Sequence, residues 1–315
     1  MSLFIKVASI LMFLKYYKIQ FYSFDVLSYD IYRVLKIILY IGVLNMILIN
    51  IWTSLFILIE EDIFYVYTIG GIFNYLSIIN INGFNLYRNQ GIFWEPGVFQ
   101  LFLNILLFQA LFKYKQYMIV LLSSLTILST FSTVGILIMC TIFSFYFIRT
   151  KIFNCKVISL VLISLVFVPL AFYFLYEKFN GLDSLSASLR TYDLYIGSKI
   201  FLDNFLFGIG FNPEFYIKHQ SEINQTFLKL NELRGNTNGI ISVGFYFGIF
   251  GVLTYIYMLI KQSVFHNNQF LVFLIFLLTL LSEPLPFTGF ILLFILSGLY
   301  KNPKSIINLK KKRLS

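Results

Sequence analysis

The chain has 315 residues, 59% of them hydrophobic and only 12% charged, with a mean hydropathy of +0.82. A soluble domain carries roughly 25% charged residues, so this composition excludes an ordinary soluble enzyme as well as a disordered or fibrous chain. The formal net charge of +10 would suggest nucleic acid in a soluble protein, but in a membrane protein the same excess reports topology.

Roughly 20 apolar residues are needed to cross the hydrocarbon core of a bilayer. Spans are expected near 3–14, 34–59, 97–112, 117–131, 133–148, 157–176, 239–260, 269–282 and 287–300. Residues 1–14 lack a small-residue cleavage site, so no cleavable signal peptide is expected. Residues 60–96 form a first extracytoplasmic segment. Within it, 63–80 is apolar enough to span but contains Gly70-Gly71, Asn74 and Asn80, and a partly interfacial segment is the expectation. The run 117–148 turns at Ser129-Thr130-Phe131-Ser132-Thr133, a large loop occupies 177–238, and a basic tail 301–315. The fold class read from this pattern is all-α. A single polytopic membrane domain over 1–315 forms a helical bundle of about eight to ten spans, with a large, partly helical extracytoplasmic loop.

Charge distribution orients the chain. Basic clusters sit at Lys15/Lys18/Arg33/Lys36, Lys113/Lys115, Arg149/Lys151/Lys156, Lys261 and Lys301 to Arg313. Placed in the cytoplasm, they give that side 16 basic residues against two acidic ones, Asp25 and Asp30. The outside then holds Arg88, Lys178, Arg190, Lys199, Lys218, Lys229 and Arg234 against 12 acidic residues. The positive-inside bias favours this orientation, with the C-terminus in the cytoplasm and the active face outside.

Half of the six arginines are therefore external: Arg88, Arg190 and Arg234. Arginine presents a planar, permanently charged fork suited to paired phosphate oxygens. The alternative is that these arginines pair with external carboxylates or lipid headgroups. In the large loop, Ser186 or Ser188 can cap a helix with Leu189, Tyr192, Ile196 and Ile200 on one face. The opposite face would carry Arg190, Asp193 and Lys199 or Asp203, and such a helix can lie on a membrane surface. Glu95 precedes Pro96 at the start of a span. It is either a helix cap or a functional carboxylate at the hydrocarbon boundary, where partial burial favours use as a base.

Other chemistry is sparse. Cys140 lies in a span and Cys155 in a cytoplasmic turn, so no external disulfide is expected. His219 and His266 stand alone, and no metal-ligand cluster is visible. Gly208-Ile209-Gly210 lacks the third glycine and flanking strand of a dinucleotide motif.

The stretch Arg88-Asn89-Gln90-Gly91-Ile92-Phe93-Trp94-Glu95-Pro96-Gly97 resembles the R-x-x-G-I-F-x-E-P-G motif of O-antigen and capsular-polysaccharide polymerases. These belong to the O-antigen ligase/polymerase superfamily. Arg190 through Asp203-Asn204-Phe205-Leu206-Phe207-Gly208-Ile209-Gly210 resembles the family's loop pattern, with Phe205 where proline is usual. Asn236-Thr237-Asn238-Gly239 leading to Gly248-Ile249-Phe250-Gly251 resembles the return from the large loop into the membrane.

The resemblance implies a helical glycosyltransferase of the cytoplasmic (inner) membrane. It would polymerise undecaprenyl-pyrophosphate-linked oligosaccharide repeats into O-antigen, capsular polysaccharide or exopolysaccharide, with no metal or other cofactor. Donor and acceptor lipids and the bilayer are the implied partners, with a chain-length regulator and a flippase alongside and no nucleic acid. Arg190 and Arg88 would stabilise the leaving pyrophosphate, Glu95 or a substrate group would supply any base, and Arg234 would assist or orient the acceptor. Asn238, Trp94 and His219 complete the candidate substrate-binding residues. Lipid A-core ligases of the superfamily carry a His-Asn pair where the loop re-enters the membrane. Thr237-Asn238 stand there in this chain, which favours the polymerase over the ligase. A lipid-linked sugar flippase or transporter is the non-enzyme alternative. Such a protein needs polar groups near the midplane, and the span cores from 97 onward contain no Asp, Glu, Lys or Arg.

Overall fold

The computed structural model describes residues 3–21, 23–61, 64–81, 84–150, 184–212, 214–219, 235–266 and 268–300. The expected span at 157–176 and the tail at 301–315 lie outside the described residues. Among the described residues the longer α-helices are α1 Leu3–Phe21, α2 Asp25–Ile51, α3 Pro96–Gln109, α4 Tyr117–Ser129, α5 Thr133–Thr150, α6 Ser184–Asp203, α7 Gly239–Ile260, α8 Gln269–Ser282 and α9 Gly289–Ser297. The chain divides into two compact units, residues 31–187 and residues 1–30 with 188–315.

In the first unit, α2 shows the inverted surface of a membrane helix. Leu35, Leu39 and Ile49 are buried, whereas Val34, Ile37, Tyr40, Leu44, Ile47 and Ile51 form an exposed apolar stripe at helical spacing. Behind it, α3 packs with α4 and α5. Every residue of α3 except Phe102 is buried, the amides Gln100, Asn104 and Gln109 among them. Pro96 fits its first turn because the amide that proline lacks has no intrahelical partner there. Helix α3 runs on into a π-helical turn, Ala110–Tyr114, which Lys115 ends in the left-handed conformation. Gly135 lets α5 approach α3 closely, since a Cβ there would lie 2.8 Å from Gln100.

The interfacial segment expected near 60–96 is a sheet in the structure. Strands β1 Ile57–Glu61, β2 Phe64–Ile69, β3 Phe73–Ile81 and β4 Phe84–Gly91 form an antiparallel meander in the order β1-β2-β3-β4. Gly70 and Gly71, both at positive φ, make the β2–β3 turn. Tyr67, Tyr75 and Tyr87 pack against Ile49 and Phe56, with Tyr67 and Tyr75 stacked at 4.7 Å. The run of aromatic and β-branched residues favours strands, but its polar residues, among them Asn74, Ser77, Asn80 and Asn85, recur at uneven spacing and reveal no alternating period. The helical membrane architecture stands, with this sheet inserted into it.

In the second unit, α8 and α9 pack on α7, and α1 packs on α9. Helix α6 buries Tyr192, Ile196 and Ile200 against Tyr216 and Phe245. The apolar face expected on this helix is therefore real, but it is spent on protein rather than on a membrane surface. Helix α7 breaks at Gly248, whose φ of 66° and ψ of −169° are non-helical. The turn after α6 mends the break. Ile209 and Gly210 amides donate to Phe245 and Tyr246 carbonyls at 2.8 and 3.0 Å, and the Ile249 amide donates to Phe205 at 2.8 Å. Irregular backbone in a span is tolerated where protein supplies the missing partners. The two glycines, Gly208 and Gly248, permit the contact, because a Cβ on either would collide with the facing backbone.

Candidate active site

The Arg88–Gly97 motif occupies the end of β4 and the start of α3. Its centre is a buried amide. Asn89 Nδ2 donates to the Gly42 carbonyl at 2.9 Å and to Ser129 Oγ at 3.1 Å, while Asn89 Oδ1 accepts from Asn45 Nδ2 at 2.8 Å and from the Gly91 amide at 2.9 Å. One side chain thus ties β4 to α2 and to the end of α4. Gln90, also buried, donates to the Trp94 carbonyl at 3.0 Å and closes the turn before α3. Gly91 has a φ of 58° and lies against the Phe99 ring, so both its conformation and its lack of a Cβ are used.

This scaffold presents the motif's candidate residues. Glu95 is the N-cap residue of α3, but its side chain makes no capping hydrogen bond; the Val98 and Phe99 amides are bonded to its carbonyl instead. The carboxylate thus stands at the helix N-terminus, where its negative charge is favoured, without a capping hydrogen bond of its own. Trp94 beside it is 60% exposed. Arg88 Nε donates to the Thr130 carbonyl at 3.3 Å.

In the other unit, Arg190 lies on α6 and its Nη2 is 3.6 Å from Glu283 Oε1; the Arg190 side chain is 36% exposed and that of Glu283 only 4%. Asp193, one helical turn on, was expected on the exposed face. It is fully buried instead, because position 193 flanks the Tyr192–Ile196 stripe and meets the returning loop. Thr237's amide donates to Asp193 Oδ2 at 3.3 Å, and Asn236 Nδ2 donates to the Asp193 carbonyl at 2.6 Å and to Tyr216 Oη at 3.2 Å. Lys199 and Asp203 are exposed, as expected.

Asn238, a candidate for substrate, has both ends of its amide engaged. Its Oδ1 accepts from the Ile241 amide at 3.0 Å as the N-cap of α7, and its Nδ2 donates to the Leu281 carbonyl at 2.9 Å. Gly239 follows at close approach, where a Cβ would lie 2.8 Å from the Glu283 carbonyl. The Asn236–Gly239 return therefore seats the turn that bears Glu283. His219 lies in a short helical segment, 214–219, with Nδ1 2.8 Å from the Phe215 carbonyl. Arg234 lies outside the described residues.

The structure thus brings Arg190 together with Glu283, and its helix with the 236–239 return; it places Arg88, Trp94 and Glu95 in the other unit. Sequence reasoning missed Glu283 and the inward turn of Asp193. The available signal was the position of Glu283 in Ser282-Glu283-Pro284-Leu285-Pro286, an acid in a very short link between apolar helices.

Among the described residues, four helices are long and apolar enough to cross a bilayer: Asp25–Ile51, Pro96–Tyr114, Thr133–Thr150 and Gly239–Ile260. The chain is a multi-pass helical membrane protein. The O-antigen ligase family model matches residues 118–256, a stretch that includes Arg190, the 204–210 turn and the 236–251 return, and it supports membership of the O-antigen ligase/polymerase superfamily. That superfamily consists of membrane glycosyltransferase-like enzymes, and membership implies lipid-linked oligosaccharide substrates. No curated protein and no solved structure matches the chain.

Proposed function

We propose that the chain is a polysaccharide polymerase of the cytoplasmic membrane, joining undecaprenyl-pyrophosphate-linked repeat units on the extracytoplasmic face. The observation that carries this reading is Arg190, which lies inside the stretch that matches the O-antigen ligase family and whose partly exposed guanidinium is 3.6 Å from the buried carboxylate of Glu283 beyond that stretch.

In the reaction, a hydroxyl of the incoming repeat attacks the anomeric carbon of the growing chain. A new glycosidic bond forms, and the bond from that carbon to the pyrophosphate oxygen breaks with its electron pair moving to that oxygen. Undecaprenyl pyrophosphate leaves, and the hydroxyl proton passes to a base, for which Glu95 is the candidate. Arg190 and Arg88 are assigned to the developing negative charge, which a cation placed beside the leaving oxygen stabilises. Arg234 is assigned to the acceptor. Thr237 at the re-entry position supports a polymerase rather than a ligase of the His-Asn type.

Replacing Arg190 with Ala in the producing strain tests the assignment. The expected result is loss of long-chain polymer with accumulation of single repeats, and Lys at 190 should be impaired too, since it cannot offer a bidentate contact. Normal polymer from the Ala variant would sink the role. Deletion of the whole gene separates the readings: single repeats indicate a polymerase, whereas long polymer left on its carrier indicates a ligase.

A further inference from the structure

We propose that Glu283 is a positioning residue of the pyrophosphate site: the internal counter-ion of Arg190, displaced when donor binds and restored as the spent carrier leaves. This rests on the reading of Arg190 as a pyrophosphate-binding residue and adds the group that resets it.

The geometry separates a fixed partner from a movable one. Glu283 is held by its surroundings: its amide donates to the Thr279 carbonyl at 2.9 Å, and its carbonyl accepts from the Leu285 amide at 2.9 Å. Asn238 ties the preceding Leu281, and Gly239 packs against the Glu283 carbonyl. Arg190 reaches this turn on a long side chain that is 36% exposed, and the 3.6 Å contact involves one guanidinium nitrogen. A carboxylate 4% exposed is costly without a cation nearby, so Glu283 draws the guanidinium towards it. The Asp193 bonds to Thr237 and Asn236 hold α6 against the return independently, so the ion pair can open while the frame stays assembled.

The chemistry calls for such a competitor. Cleaving the sugar–phosphate bond adds a negative charge to the pyrophosphate, so an arginine site binds the product carrier more tightly than the donor. Unopposed, that difference retains the product. A tethered carboxylate acts at high effective concentration, weakens binding of both lipids and shortens the lifetime of the product complex.

The test uses the full chain in lipid nanodiscs with undecaprenyl pyrophosphate as the binding probe, and lipid-linked repeats extracted from the producing strain for turnover. Glu283→Gln keeps the shape and removes the charge. Binding of undecaprenyl pyrophosphate should tighten by about tenfold, a shift of the size expected for one nearby like charge. Steady-state turnover should fall, with a first-turnover burst retained because release has become limiting. A residue needed only for folding would weaken both. Glu283→Asp, which keeps the buried charge but draws it back by one methylene, should tighten binding by a smaller factor. For either variant, affinity equal to or weaker than wild type overturns the proposal. Wild-type protein and Arg190→Ala binding the probe equally well would instead overturn the pyrophosphate reading beneath it.

Discussion

Gly248 of α7 lies directly against the carbonyl of Leu206, and Ile249 beside it donates its amide to Phe205. The broken span and the turn after α6 are one structure. A side chain at 248 meets two penalties, a φ of 66° with ψ of −169° that only glycine adopts readily and that costs an L-residue roughly 1–3 kcal/mol, and a collision with backbone that cannot yield. Gly248→Ala should destabilise the protein by at least about 2 kcal/mol. Thermal unfolding in detergent measures it, and an unchanged Tm would show that the turn is not docked on the break.

Asp193 offers a separate test of the loop's anchorage. Asp193→Ala leaves the Thr237 amide without its carboxylate acceptor, at a cost of about 1–3 kcal/mol. Asp193→Asn retains an oxygen that can accept that bond, and should recover most of the stability. Equal losses for both variants would mean that the charge, rather than the bond to Thr237, matters.

For Glu95 the expected outcome is a split between stability and activity. Its side chain makes no capping bond, so Glu95→Gln should alter unfolding by less than about 0.5 kcal/mol, the range of substitutions away from such features. If it is the base, polymer formation should fall by about 100-fold or more. A Gln variant with full activity removes Glu95 from the chemistry.

The chain contains two tryptophans, and their exposure provides a depth gauge. Trp52 follows the last residue of α2 and is 53% exposed; Trp94 precedes α3 and is 60% exposed. Amphipathic rings at span ends favour the headgroup region. Lipids brominated near the carbonyl end of the acyl chain should quench the fluorescence of both single-tryptophan variants, Trp52→Phe and Trp94→Phe. Quenching by aqueous iodide instead would place the β1 edge, which begins a few residues after Trp52, in open water.

The bounds of α7 and α8 were legible because apolar runs at 239–260 and 269–282 end where polar caps and turns begin. The buried face of α6 was legible from the spacing of Tyr192, Ile196 and Ile200. Asp193 was not, since helical spacing alone leaves a flanking position free to face either way, and contact with Thr237 decided it. Glu283 entered the sequence reading only as one of many outer charges. Its pairing with Arg190 joins residues 93 positions apart, a relation no local pattern encodes. The meander from Ile57 to Gly91 was hidden for the opposite reason, because its strands are apolar enough to resemble an interfacial segment.

The mended break in α7 also has a consequence for biogenesis. A ribosome makes residues 204–210 before it makes 239–260, so the amides and carbonyls that complete the interrupted span already exist when that span emerges. The second half of the pair can be inserted onto a waiting template. Moving the 204–210 turn to a position after α7, as in a circularly permuted gene, should leave the nascent span incomplete at Gly248 during insertion and direct the product towards quality-control proteolysis.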